Sequence, residues 1–201
     1  YYLEARAGAG VSPTTGDSVL LRYTGRYLDL TAFDARPDYN WQSLPFFLKG
    51  YREALTNFKS ALEESFVINP DGTAEFADSG IGMLIIPSGL GYFNNTSQGI
   101  REFSPLIFNV DLGAVVVDTD SDDDGIPNYL EDLNGNGEYF DDNTDLEWEN
   151  NNFQLPLSDF RDPDDDADGV PTREEIIITE EGIVFPDSDG DGIPDYRDRD
   201  S

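Results

Sequence analysis

No histidine and no cysteine occur among the 201 residues, methionine occurs once, and lysine plus arginine number 12 against 42 acids. Without thiol or imidazole there is no cysteine nucleophile, no disulfide framework and no nitrogen- or sulfur-ligated zinc. At a formal net charge of −30 the chain lacks the basic clusters that displace counterions from a phosphate backbone, so no nucleic acid partner is expected. No apolar run is long enough for a membrane-spanning helix. Tyr1-Tyr2-Leu3-Glu4 has neither the charged nor the apolar region of an export signal, so an exported chain is expected to have lost its signal before Tyr1. What is present is acid, the natural complement of a hard cation, together with 38% hydrophobic and 12% aromatic residues, enough for a core.

The charge is distributed unevenly. Residues 1–112 hold 13 acids and 8 bases, whereas residues 113–201 hold 29 acids, 4 bases and only 8 of the 25 aromatic residues. A hydrophobic core therefore belongs to the first part. The run Gly113-Ala114-Val115-Val116-Val117 reads as a short apolar link, and Asp118 opens a different kind of sequence. Two regions follow, 1–112 and 113–201.

In the first region, residues 18–24 and 26–30 are rich in β-branched and aromatic residues around Gly25 and predict strands. Phe47, Tyr51, Ala54, Leu55, Phe58 and Leu62 recur at three- and four-residue steps and predict one amphipathic helix over 47–62. Asn69-Pro70-Asp71-Gly72 predicts a hairpin turn between 64–68 and 73–76. Two more strands are expected at 82–86 and 105–112. An antiparallel sheet with one packed helix is an α+β architecture.

The pieces Gly16-Asp17-Ser18-Val19, Tyr23-Thr24-Gly25, Phe33-Asp34, Gly50-Tyr51-Arg52-Glu53-Ala54-Leu55, Ile86-Pro87-Ser88, Gly91-Tyr92 and residues 105–112, in that order, resemble the FKBP-type peptidyl-prolyl isomerases. The resemblance spans about residues 10–112 and implies a curved antiparallel sheet, an aromatic pocket that admits a prolyl ring, and proline-containing polypeptide segments as partners. Carried over position by position, it places Tyr23, Phe33, Asp34, Phe47, Leu48, Tyr51, Tyr92 and Phe108 in that pocket, with either Trp41 or Phe46 as a further aromatic. It also implies that the Tyr92 hydroxyl and the Leu48 N–H hold substrate carbonyls while Asp34 polarises the edge. Four features depart from the family pattern: Tyr51 stands where the family has tryptophan, Phe93 where it has glycine, Leu30-Thr31 where it has Asp-Gly, and the stretch between Ala61 and Gly82 is longer.

In the second region a calcium-loop register recurs, with oxygen donors at positions 1, 3, 5, 7 (backbone), 9 and 12 and glycine at 6. Asp120, Asp122, Asp124, Ile126, Asn128 and Glu131 fit it, as do Asp164, Asp166, Asp168, Val170, Thr172 and Glu175, and Asp187, Asp189, Asp191, Ile193, Asp195 and Asp198. A weaker loop begins at Asp132, Asn134 and Asn136 but reaches Asn143 at position 12, with Asp141, Asp142 and Asp145 close by in sequence. Position 8 is Pro127, Pro171 and Pro194; proline has no N–H for the bridge that paired EF-hand loops make there. The D-x-D-x-D-G-[IV]-P pattern instead resembles thrombospondin type 3 repeats, which implies an irregular, calcium-ordered region holding about three to four structural ions. Without metal, the concentrated negative charge is expected to keep this region expanded.

Together these readings predict a peptidyl-prolyl isomerase acting on X-Pro bonds of exported proteins, joined to a calcium-binding stalk, in a secreted, periplasmic or outer-envelope setting where a lipid anchor upstream of residue 1 is compatible with the sequence. The alternative is a non-catalytic binding or structural module at the cell surface with calcium-dependent order.

Overall fold

The computed structural model describes residues 1–96 and 99–201 and divides into two compact units, Tyr1–Val117 and Asp118–Ser201. In the first, five strands form one antiparallel sheet: β1 (Tyr2–Arg6), β2 (Ser18–Tyr27), β3 (Ala32–Ser43), β6 (Gly80–Ile86) and β7 (Leu106–Val116), in the order β1-β6-β7-β2-β3. A separate hairpin joins β4 (Phe66–Ile68) to β5 (Ala74–Phe76). Its turn is closed by Gly72 N–H donating to Asn69 O at 2.9 Å, with Gly72 at φ +86°, a conformation that favours glycine.

Strict alternation along β2 buries Val19, Leu21, Tyr23 and Tyr27 on one face. They join Leu84, Ile86, Leu106, Phe108, Val110 and Leu112 from β6 and β7 in a single core. The helix α1 (Lys49–Leu55) covers it with Tyr51 and Leu55.

Three expectations need correction. The amphipathic period suggested a helix over 47–62, but α1 ends at Leu55 because Thr56 Oγ1 and Asn57 Nδ2 donate to the terminal Glu53 carbonyl, at 2.9 and 3.3 Å. Phe58 stays buried beyond the helix, and Ser60 and Ala61 pair their backbone N–H groups with Val11 O and Gly113 O at 2.7 and 2.9 Å. Residues 18–24 and 26–30 are not two strands: β2 runs through Gly25 to Tyr27, and its partner is β3. Finally, residues 113–116 are strand rather than link. β7 continues to Val116 opposite Ser18, satisfying the backbone of the first half of β2, so the first unit extends to Val117.

The second unit has short elements only: α2 (Leu146–Asn151), α3 (Thr172–Glu175), and a hairpin of β8 (Ile177–Thr179) with β9 (Gly182–Val184). Its apolar core is small, formed by Ile126, Ile176 and Tyr196 with Ile183 and Phe185 against them. Around it lies an unusual set of buried acids, including Asp124, Glu131, Asp159, Asp165 and Asp166. Among the described residues no helix is long and apolar enough to cross a membrane.

Candidate functional site

In the first unit a cavity of about 340 Å³ is lined by Tyr23, Phe33, Asp34, Phe46, Phe47, Leu48, Tyr51, Tyr92 and Phe108. All eight positions singled out in the sequence come together there. Of Trp41 and Phe46 it is Phe46 that lines the cavity, whereas Trp41 sits on β3 opposite Leu20 and is not part of its wall.

Local structure explains how each wall is aimed. Gly25 pairs with Asp34 and Arg26 with Ala32, so Phe33 is the extra residue of a bulge and turns its ring to the cavity. Gly25 makes room for that ring: a Cβ there would lie 2.6 Å from Phe33 Cζ and 3.1 Å from Phe108 Cε1. Phe33 meets Phe108 edge-on at 5.6 Å, and Tyr51 meets Phe108 edge-on at 5.0 Å and stacks on Phe47 at 5.6 Å. The buried Arg52 donates from Nη1 to Phe47 O at 2.6 Å, fixing the loop before α1.

The polar groups are few and held. Asp34 accepts the Tyr23 hydroxyl at 2.5 Å on Oδ2, and the Ala35 N–H at 2.8 Å and Arg36 Nη1 at 3.3 Å on Oδ1. The Tyr51 hydroxyl donates to Gln42 Oε1 at 3.2 Å, the partner that a tyrosine needs at this depth. Burial raises the phenols of Tyr23, Tyr51 and Tyr92 above their ordinary values, and the nearby Asp34 carboxylate adds to it, so all three remain neutral donors at physiological pH. Two of the family departures sit in left-handed backbone, Leu30 at φ +66° and Phe93 at φ +49°.

In the second unit the three loops share one geometry. Positions 4 and 6 have positive φ in each: Asp123 and Gly125, Ala167 and Gly169, Gly190 and Gly192. Position 1 accepts the N–H of position 6, Gly125 to Asp120 Oδ2 at 2.9 Å, Gly192 to Asp187 Oδ2 at 3.0 Å, and Gly169 to the Asp164 carboxylate. Position 5 accepts that of position 7: Ile126 to Asp124 at 2.7 Å, Val170 to Asp168 at 2.5 Å and Ile193 to Asp191 at 2.8 Å. These bonds draw the carboxylates at 1, 3 and 5 into three clusters, Asp120/Asp122/Asp124, Asp164/Asp166/Asp168 and Asp187/Asp189/Asp191, that could hold a metal ion. The donors are all oxygen, the set that suits a hard cation. Each proline precedes a single helical turn that starts at position 9 and runs to position 11, or to position 12 in α3.

Position 9 is engaged within its own loop. Asn128 Oδ1 accepts Ser121 N–H at 2.9 Å, Thr172 Oγ1 accepts Asp165 N–H at 3.2 Å, and Asp195 Oδ1 accepts Ser188 N–H at 2.6 Å. Asn128, Thr172 and Asp195 thus clasp position 2 of their own loops. The weak loop has the same left-handed glycines, Gly135 and Gly137, but Asn134 and Asn136 donate to Asp142 and Asp141 at 2.8 and 2.9 Å. Asp145 lies elsewhere, in an Asp145/Glu149/Asp162 cluster that sequence spacing did not suggest. There Glu149 is already bonded, accepting Asn143 Nδ2 at 2.8 Å and Leu157 N–H at 2.9 Å.

Burial leaves its mark on the acids. Burial, reinforced by neighbouring carboxylates, pushes Asp122 up to about 8. Burial likewise raises Asp124 to about 6 and Glu175 to about 7.

No family model matches the chain, and no curated protein matches it. Among solved structures it is similar to a peptidyl-prolyl cis-trans isomerase from Pseudomonas syringae pv. tomato, at 27% identity over 57% of this chain and 73% of that one, with a TM-score of 0.45. It is also similar to FkpA from Escherichia coli, at 28% identity over 57% of this chain and 46% of that one, with a TM-score of 0.46.

Proposed function

We propose that the first unit is a peptidyl-prolyl cis-trans isomerase that takes X-Pro segments of exported polypeptides into the aromatic cavity, and that the acidic loops of the second unit bind calcium. The observation that carries the first half is the convergence of Tyr23, Phe33, Asp34, Phe46, Phe47, Leu48, Tyr51, Tyr92 and Phe108 on one cavity of about 340 Å³. That volume is within the range of small-ligand sites and accommodates a prolyl ring.

The chemistry asks little of the protein beyond shape and dryness. Amide resonance sets a barrier of about 18–20 kcal/mol to rotation about the peptide bond. Resonance separates charge, so an amide moved from water to an apolar cleft and twisted there loses part of that stabilisation. Phe33, Phe46, Phe47, Tyr51 and Phe108 supply the cleft. The Tyr92 hydroxyl and the Leu48 N–H hold the flanking carbonyls, and the Asp34 carboxylate, pinned by Tyr23, faces the ring from one edge. No proton is transferred.

For the second half, the support is the repeated loop geometry and its all-oxygen donors. Calcium would be held by Asp120, Asp122, Asp124 and Glu131, by Asp164, Asp166, Asp168 and Glu175, and by Asp187, Asp189, Asp191 and Asp198, with the Ile126, Val170 and Ile193 carbonyls at position 7. The likeness to thrombospondin type 3 repeats rests on this register. Extracytoplasmic calcium, at millimolar levels, would fill even weak loops.

The test is prolyl isomerisation of a proline peptide, followed by exchange NMR, with calcium and with chelator, on the chain and on a Tyr92→Phe/Phe33→Ala variant. Acceleration lost in the variant supports the reading. A folded chain that accelerates nothing in calcium refutes turnover and leaves a docking module.

A further inference from the structure

The loop ligands considered so far are local, each set lying within a dozen residues. Asp165 is not part of any register, because it occupies position 2 of its loop. Its neighbours Asp164 and Asp166 turn to their own cluster with Asp168, whereas the Asp165 carboxylate joins Asp124 and Glu131 of the first loop, with one oxygen from each of the three within 4.8 Å of the others. The backbone there is fixed by Asp165 N–H donating to Thr172 Oγ1 at 3.2 Å.

Three carboxylates so close, and so deep, require an explanation. Asp124, Glu131 and Asp165 are 1%, 2% and 1% exposed. Both oxygens of Glu131, both of Asp165 and Oδ2 of Asp124 have no hydrogen-bond partner. A buried carboxylate without donors is among the costliest groups a fold can enclose. Arg173, in the same loop, directs its Nη1 to Asp123 O at 3.0 Å. Asp159 and Asp162 add further negative charge around Asp165. The contrast with Asp145/Glu149/Asp162 is informative, for there the buried Glu149 accepts two hydrogen bonds and is satisfied without an ion.

We infer that Asp165 completes a divalent-cation site of the calcium class with Asp124 and Glu131. Five unpartnered carboxylate oxygens on three side chains form a hard, highly charged donor set. One ion there connects the loop at 120–131 to the loop at 164–175 and closes the intervening chain, acting as a cross-link between segments far apart in sequence. Tyr139 and Phe160, buried ring against ring at 5.8 Å, lie within that closed stretch. This inference rests on the reading of the loops as cation sites.

The experiment is a titration of the decalcified full chain with Ca²⁺ by calorimetry and with Tb³⁺ by luminescence, for the parent, Asp165→Asn and Asp189→Asn. Chymotrypsin cleavage after Tyr139 and Phe160 and thermal melting in chelator are read in parallel. In Asp165→Asn one ion should weaken roughly ten- to hundredfold, and Tyr139 and Phe160 should become cleavable in calcium. In chelator the same variant should melt no lower than the parent, because an acid crowded by other acids has been replaced by a neutral amide that can donate to them. Asp189→Asn should weaken a different ion and leave both rings protected. An Asp165→Asn variant that binds every ion as the parent does overturns the inference alone. So does one that melts lower than the parent in chelator as well as in calcium. A parent chain that binds no Ca²⁺ at millimolar concentration overturns both the inference and the loop reading beneath it.

Discussion

Tyr51→Phe removes a single oxygen from the floor of the aromatic cavity, and the structure assigns that oxygen to the fold rather than to a ligand. The hydroxyl donates to Gln42 Oε1 at 3.2 Å, and the two residues are 2% and 5% exposed. In the variant Gln42 Nε2 still donates to Asn40 Oδ1 at 3.1 Å, but Oε1 is left buried without a donor. An unmatched buried acceptor costs about 1–3 kcal/mol. The separation is long for an O–H···O bond, which places the expected loss near about 1–1.5 kcal/mol. For a unit the size of Tyr1–Val117, about 1 kcal/mol shifts the melting midpoint by about 4 °C, so a fall of about 4–6 °C is expected. The assay is melting by near-ultraviolet circular dichroism in calcium, paired with prolyl turnover well below the midpoint. Turnover should stay within about twofold of the parent, since the ring and its contacts with Phe47 and Phe108 are kept. An unchanged midpoint together with a loss of about tenfold or more in kcat/KM would refute the assignment, because the hydroxyl would then be acting on substrate.

Leu30 is exposed and sits at φ +66°, so Leu30→Gly should relieve left-handed strain and raise the stability of the first unit by about 0.5–1 kcal/mol in denaturant unfolding; a destabilised variant would contradict this. In chelator the second unit should lose order as pH rises from about 5 to about 9. Asp124, Glu175 and Asp122 are held near about 6, 7 and 8, above the ordinary carboxylate range, so the folded unit retains protons that the unfolded chain has released and stability falls through those values. Calcium requires the ionised carboxylates and should reverse the trend, and hydrogen exchange of Asp118–Ser201 against pH in both conditions measures it; rising protection with pH in chelator would count against the geometry.

The cavity was legible because its residues fall in short pieces whose order carries the fold. The alternation through Val19, Leu21 and Tyr23 fixed the buried face of β2, and the apolar period through Tyr51 and Leu55 fixed the face of α1. The limits of these elements were less visible. Nothing in the apolar pattern at Phe58 says that Thr56 and Asn57 will cap the helix, and residues 113–117 look like a link until the unpaired backbone of Ser18 and Leu20 is counted. β1 and β3 escaped notice for a related reason. All five residues of β1 are exposed, and β3 buries only Gln42, so neither shows the alternation that betrays a half-buried strand.

The acidic unit divides the same way, between what is local and what is not. Glycine at position 6 and carboxylates at 1, 3 and 5 are dictated within one turn of chain: Asp120 must reach the N–H of Gly125, and Asp124 that of Ile126. Such constraints repeat as a motif and can be counted in the sequence. Position 9 adds a contact that the motif does not announce, since its side chain accepts the N–H of position 2 of the same loop in all three cases. Asp165 is outside the motif altogether. It follows one register acid and precedes another, and its separation from Glu131 is set by the path of the intervening chain, which has no period of its own. What distinguishes it from its neighbours is that both of its carboxylate oxygens are buried without a hydrogen-bond donor, where Asp164 and Asp166 each have one such oxygen, a property that exists only once the two loops are brought together. An ion that joins distant segments therefore leaves its evidence in the unmatched oxygens of the fold, where an ion held by one loop leaves it in the spacing of the sequence.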